Sequence, residues 1–265
     1  MILSDNDSNL GQNLPAGSKH YRAYVGPPEN YDKVSSMQFN LLIQLGLRET
    51  HSILDIGCGS LRAGRLFIPY LLPKKYFGIE PEKWLIDDGI KNELGQDIIE
   101  IKKPTFSYDD NFNFEEFNEK FDYMIAQSIF SHASEPAIRK CAIEAKKVLK
   151  PKGIFVATFY EGDKNHTGTK WTYPGNVYYT FEKIKEIFED ANLICKQLDW
   201  IGNQKWFLVV NPENADYTPK FSDASIQSNM ATQLEFYKEE LEKIRSHPYM
   251  QFGLKIRNIL NKIHR

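Results

Sequence analysis

The chain has 265 residues, 42% hydrophobic and 26% charged, with a formal net charge of −2. That is enough for one full α/β core plus extensions, and so balanced a charge gives no whole-surface attraction to nucleic acid. The three cysteines, Cys58, Cys141 and Cys195, are far apart and form no C-x-x-C pair, so neither a zinc site nor a disulfide framework is expected, and a reducing cytoplasm fits.

Residues 1–7 lack the basic-then-apolar pattern of a signal peptide, and the apolar stretch 66–72 is far too short to span a bilayer. Residues 1–18, rich in Asn, Asp, Ser and Gly, are predicted to be disordered. Aromatic residues and prolines over 19–32 predict a stiff, irregular segment rather than a helix. Residues 35–45 read as an amphipathic helix with Met37, Leu41 and Leu45 on one stripe, which completes an N-terminal lid segment over 19–46.

Strand and helix then alternate across 47–210. Strands are predicted at 51–56, 76–80, 105–108, 121–127, 154–159, 193–200 and 205–210. Helices are predicted at 61–72 (bent by Pro69), 82–93, 135–149 and 181–191, with 97–103 favoured as a helix ending at Pro104. Residues 151–153 read as a turn, and 160–180 as a long excursion. Gly202-Asn203 implies a hairpin, so the last strand runs antiparallel to the rest. Such alternation means a sheet with helices on both faces. A polar linker follows at 211–225. In 226–265, Met230, Leu234, Tyr237 and Leu241, and then Phe252, Ile256, Ile259 and Ile263, give two amphipathic helices.

The most informative stretch is Asp55-Ile56-Gly57-Cys58-Gly59-Ser60, where a buried strand enters a Gly-x-Gly turn and a helix comes next. A dinucleotide loop holds a pyrophosphate on backbone N–H groups. A carboxylate at Asp55 would repel that anion and suits a ligand with positive charge and no phosphate. S-adenosylmethionine (SAM) has a sulfonium and an ammonium and meets both conditions. Gly57 and Gly59 let the backbone approach it closely, Ser60 is placed to cap the helix, and Glu80 ends the second strand where a carboxylate would take both ribose hydroxyls. A nicotinamide oxidoreductase is disfavoured by Asp55 and by the missing third glycine.

The segments Asp55–Gly59, Glu80, Phe121-Asp122-Tyr123-Met124-Ile125-Ala126 and Leu149-Lys150-Pro151-Lys152-Gly153-Ile154-Phe155 together resemble the successive motifs of class I SAM-dependent methyltransferases. The resemblance covers about 47–210. It implies a Rossmann-like doubly wound seven-stranded sheet of order 3-2-1-4-5-7-6, strand seven antiparallel, with SAM at the carboxyl ends of the first two strands. The family's third glycine is Leu61 here. The expected cofactor residues are Asp55, Gly57, Cys58, Gly59, Arg62, Glu80, Pro81, Asp109 (or Asp110), Gln127 and Ser128, with Tyr24 and Gln38 from the N-terminal segment. Arg62 offers a bidentate match to the methionine carboxylate; a plain surface arginine is the competing reading.

The loop 126–132 faces the transferable methyl group in the resembling fold. His132 is the expected general base, because histidine takes a proton near neutral pH, and His166 is a second. Tyr160, Trp171, Tyr173, Tyr178 and Tyr179 in the excursion are expected to line the acceptor pocket, since aromatic faces stack on sugar rings or surround a cation. The overall pattern resembles bacterial methyltransferases of surface-polysaccharide (capsule) biosynthesis and implies a sugar hydroxyl as acceptor. A small amine or phosphorylated amino alcohol is the alternative, and a non-catalytic SAM-binding partner protein the alternative of another class. No metal is signalled. The basic C-terminal helices are expected to pack on the core or on a second copy in a homodimer, or to touch an anionic membrane surface.

Overall fold

The computed structural model describes residues 10–200 and 202–221. The predicted C-terminal helices lie outside the described residues, as do residues 1–9. Of the segment read as disordered, residues 10–18 form turns tied to the helical segment beyond them. Asn13 N donates to Glu29 Oε1 at 2.8 Å and Gly17 N to the Ala23 carbonyl at 2.8 Å.

The N-terminal segment departs from its predicted irregularity. His20 caps a single turn, α1 (Tyr21–Tyr24), by accepting from Arg22 N. After a 3-10 turn at Pro28–Asn30, α2 (Tyr31–Gln44) begins four residues earlier than its apolar stripe suggests. The reason is Tyr31, which is fully buried and sits under two guanidinium groups, Arg22 at 4.5 Å and Arg65 at 5.4 Å from its ring centroid.

Apolar runs make the sheet. β1 (Ile53–Ile56) and β2 (Tyr76–Ile79) are buried at every position, as central parallel strands covered on both faces must be. β3 (Thr105–Ser107), β4 (Phe121–Ala126) and β5 (Leu149–Glu161) continue the parallel set, while β7 (Ile194–Leu198) and β8 (Lys205–Val210) close the far side. The order is β3-β2-β1-β4-β5-β8-β7, with β8 antiparallel to both neighbours. This is the predicted sheet. The numbering moves by one because Tyr178–Tyr179 forms a two-residue strand, β6, parallel to Tyr160–Glu161. The turn 151–153 bulges out of β5, so that Phe121 pairs with Leu149 but Tyr123 already pairs with Ile154.

The connecting helices are α3 (Gly64–Tyr70), α4 (Lys83–Gly89), α5 (Gln96–Lys102), α6 (Glu135–Val148) and α7 (Phe181–Asp190). On α6, Ile138, Cys141, Ala142, Ala145 and Val148 face the sheet at helical spacing. α7 is capped by Thr180, which accepts from Lys183 N. α4 runs on into a π turn, Ile90–Leu94, so the predicted 82–93 helix is two segments. α5 ends at left-handed Lys103, just before Pro104.

α3 starts at Gly64 rather than at Leu61, because Leu61 itself is left-handed, with φ of 59°. The position where the family pattern has glycine keeps the glycine-like backbone. Ser60 does not cap α3; its hydroxyl lies 3.2 Å from the Tyr31 hydroxyl. Leu61 is fully buried and packs against Gly64 and Gly89. Two effects therefore oppose each other. Left-handed backbone costs an L-residue about 1–2 kcal/mol, while removing a buried leucine side chain costs roughly 2–5 kcal/mol. Leu61→Gly is expected to destabilise the fold by a net of about 1–3 kcal/mol in urea unfolding; an unchanged or raised midpoint would show that strain dominates there.

Candidate active site

The sheet order reverses between β1 and β4, and the space outside their carboxyl ends is the usual ligand crevice of a doubly wound sheet. The turn after β1 forms its floor. Gly57 has φ of 67°, and a Cβ there would lie 2.0 Å from Ile129 Cδ1, so any other residue would strain the backbone and displace Ile129. Cys58 points its thiol at Gly78 from below and is buried, so its side chain faces the sheet and not the crevice. Asp55 is also enclosed and accepts a hydrogen bond from the Tyr76 hydroxyl at 2.7 Å. Burial pushes its carboxyl up to about 6, against the Tyr76 bond and the Arg62 charge. Glu80 comes directly after β2 and accepts from Gly59 N and from Glu82 N, both at 3.0 Å. Burial raises it to about 7. Pro81 is exposed beside it. Asp109, after β3, closes a turn by accepting from Asn111 N and Asn113 N through one oxygen, and Asp110 is exposed.

The lid segment lies directly over this floor. Val25 Cγ1 stands 2.7 Å from where a Cβ on Gly59 would be. Tyr24 packs edge-on against Trp84, with centroids 5.2 Å apart. Arg62 joins the lid to the loop after β4: one terminal nitrogen donates to the Val25 carbonyl at 2.6 Å and the other to Gln127 Oε1. Both acceptors are neutral, no ion pair of Arg62 is present among the described residues, and its buried Nε has no partner. Desolvation pulls its pKa down. Gln38 is buried on α2 and donates to the Val34 carbonyl of its own helix.

The residues expected on the acceptor side gather around the same loop. Ser128 has φ of 60°, unusual for a non-glycine residue, and its N–H donates to Thr158 Oγ1 at 2.7 Å. His132 is buried, and its Nδ1 lies 2.7 Å from the Gly175 carbonyl. A carbonyl only accepts, so Nδ1 carries the proton and Nε2 of the neutral ring keeps its lone pair. Burial lowers the His132 pKa from its ordinary value. The ring meets Tyr173 edge-on at 4.9 Å, and the Tyr173 hydroxyl donates to the Tyr24 carbonyl. Lid, glycine turn and β4 loop thus converge on Arg62, and His132 joins the lid through Tyr173.

The remaining excursion residues separate. Tyr179 is fully buried, with its hydroxyl on the Ala133 carbonyl at 2.9 Å and its ring against Phe159. It is a core residue and is corrected from the acceptor set. His166 packs on Tyr179 with its Nε2 buried, and none of its contacts joins it to His132. Tyr160 and Tyr178 pair at 5.4 Å, and Tyr178 and Trp171 are about half exposed. One residue that sequence reading missed is Gln204, in the β7–β8 hairpin, which is buried and donates to Ser128 Oγ at 2.9 Å. Nothing in its local sequence marks it, because the contact spans 76 residues.

Among the described residues no cluster of three or more His, Cys, Asp or Glu could hold a metal ion, and no helix is long and apolar enough to cross a membrane. Residues 54–155 match a family model described as a methyltransferase domain. The fold is similar to that of magnesium protoporphyrin IX methyltransferase from Synechocystis PCC 6803 with bound SAM, at a TM-score of 0.55 and 10% identity over 77% of this chain and 88% of that one. It is similar also to a putative O-methyltransferase from Nostoc punctiforme PCC 73102 (TM-score 0.55, 14% identity, 71% of this chain and 58% of that one). The glycopeptide N-methyltransferase MtfA with SAM gives a TM-score of 0.52 and 12% identity over 67% of this chain and 94% of that one. The chain shares the fold of these methyltransferases, and its residues 54–155 match a methyltransferase domain.

Proposed function

We propose that the enzyme methylates a hydroxyl of a small polar acceptor, a sugar or sugar precursor of a surface glycan, with His132 as the base. The observation that carries this reading is the His132–Gly175 hydrogen bond, which fixes the tautomer and leaves Nε2 as a proton acceptor at the β4 loop. An amine acceptor would need orientation more than a base.

SAM, when bound, supplies an electrophilic methyl group on its sulfonium. The residues present fit it. Among the described residues Arg62 has a partnerless Nε and no carboxylate, so it would take the methionine carboxylate. Glu80 has one N–H on each oxygen and keeps lone pairs for the ribose hydroxyls. Asp55 places negative charge beneath the turn, and Asp109, at the end of β3, is offered for the adenine amino group. Tyr24 and Tyr173 would cover the crevice and exclude water. Exposed Trp171 and Tyr178, with Tyr160 behind, offer aromatic faces for a sugar ring. His132 then accepts the hydroxyl proton as oxygen attacks the methyl carbon.

The test is labelled-methyl transfer from SAM to free and nucleotide-linked sugars. His132→Asn keeps an N–H for the Gly175 carbonyl but removes the basic nitrogen. It is expected to lower kcat by about 10²–10⁴ with SAM affinity unchanged, and full activity would refute the assignment. Because burial lowers the His132 pKa, activity is lost only as pH falls below that lowered value. The acid limb of kcat at saturating SAM should therefore lie below the ordinary histidine value of 6.5.

Asp55 and Glu80 give a second pH test. Both carboxyls are raised by folding, so the stability that these two groups contribute to the cofactor-free protein is fully present below their ordinary pKa values and is lost as pH rises through about 6 and about 7. Asp55→Asn has no charge to bury, and the two groups are otherwise alike. Its stability relative to the native protein should rise by about 3 kcal/mol between about pH 4 and pH 8. A pH-independent difference in melting temperature would contradict this. SAM needs the carboxylates, so native affinity for it should fall as pH drops through the same range.

A further inference from the structure

Three buried side-chain atoms lack a hydrogen-bond partner among the described residues: Arg62 Nε, His166 Nε2 and Gln204 Oε1. Arg62 belongs to the cofactor side, and His166 lies against Tyr179. Gln204 remains, and its surroundings point to a ligand. Its amide nitrogen is committed, to Ser128 Oγ at 2.9 Å and to Ser131 Oγ at 3.4 Å. Ser128 is itself pinned through its N–H to Thr158. The residue is 6% exposed, and with the amide nitrogen on the two serine hydroxyls its carbonyl oxygen is left without a donor. A buried carbonyl left in that state costs about 1–3 kcal/mol.

Its place in the fold is equally specific. Gln204 immediately precedes β8 at Lys205, which pairs with Phe159 near the carboxyl end of β5. The neighbouring hairpin packs on α2, where Trp200 Nε1 donates to the Met37 carbonyl at 3.3 Å. Ser128 is one residue from Gln127, which Arg62 holds. The unpaired carbonyl therefore sits one hydrogen bond away from the loop that carries His132. The groups around it are three hydroxyls and an amide: Ser128, Ser131, Thr158 and Gln127. No carboxylate is among them, and the nearest charge in this chain of contacts is the positive Arg62. Such a surface suits an uncharged hydrogen-bond donor and disfavours an ammonium.

We propose that Gln204 is a specificity-determining residue: its carbonyl oxygen accepts a hydrogen bond from a neutral hydroxyl of the acceptor and aligns it beside Ser128. The proposal rests on the reading of this crevice as the acceptor site of a methyltransferase. It adds that the recognised group is an uncharged hydroxyl, as in a polyol or sugar, and not an ammonium.

The experiment uses the full-length protein, SAM carrying a carbon-13 methyl group, and the dialysable small-molecule fraction of a bacterial lysate. Carbon-13 NMR separates a methyl ether from a methylamine. The native protein is expected to give a labelled ether. Gln204→Met, which keeps the volume and loses the carbonyl, should need about 10–100-fold more extract for half-maximal rate. Its maximal rate and its SAM affinity by calorimetry should stay close to native. Gln204→Glu, which can still accept from a hydroxyl, should stay within a few-fold of native. Should the methionine variant not fold, Gln204→Asn, which pulls the same amide back by one methylene, is measured in its place. A Gln204→Met enzyme with native extract dependence overturns the proposal and leaves the proposed function intact, whereas a labelled methylamine from the native protein overturns both. A native protein that binds SAM and labels nothing overturns the proposed function, and this inference with it.

Discussion

The crevice is organised by a guanidinium that has no carboxylate partner among the described residues. Arg62 bonds a carbonyl of the lid and an amide oxygen of the β4 loop, and its third nitrogen is enclosed without an acceptor. A half-buried cation among neutral acceptors is electrostatically incomplete, and the surrounding protein holds it there because other contacts fix the arms. Arg22 and Arg65, by contrast, share Glu93 and are complete. The lid is thus anchored at its base by a satisfied ion network and at its tip by an unsatisfied one, and the unsatisfied end faces the glycine turn.

The long excursion is less free than its length suggests. Thr172 N donates to the His132 carbonyl and Val177 N to the Ser131 carbonyl, while the Gly175 carbonyl accepts from the His132 ring. Three bonds stitch the excursion to two consecutive residues of the β4 loop. The stitching sorts the aromatic side chains: Tyr179 turns into the core beside Phe159, Tyr173 turns toward the lid, and Trp171 and Tyr178 remain outside. His132 and the aromatic residues of the excursion are one construction, so a substitution in the excursion is felt at His132 without touching it.

Much of this was legible in the sequence, for a physical reason. The strands, the glycine turn, Glu80 and the antiparallel last strand are written in short local patterns: four-residue apolar runs, a Gly-x-Gly turn, a Gly-Asn hairpin; the strand order comes from the family resemblance that those motifs carry. What the sequence hid depends on contacts distant along the chain. α2 begins early because Arg22 and Arg65 cover Tyr31. β6 has only two residues and exists because β5 overshoots the sheet as far as Glu161. Tyr178 and Tyr179 are adjacent tyrosines with opposite fates, since neighbours on a strand face opposite ways. Gln204 is one polar residue among several, until the hairpin carries it to Ser128.

Leu61 stands where a glycine would have been the relaxed choice. A glycine there would leave the turn many shapes to lose when a ligand arrives, whereas a leucine whose side chain is locked in the core leaves it one. The strain of a left-handed leucine is met once, during folding, by the packing of that side chain. Ligand capture on this turn therefore begins from a receptor already ordered, and less of the binding free energy is consumed in ordering it.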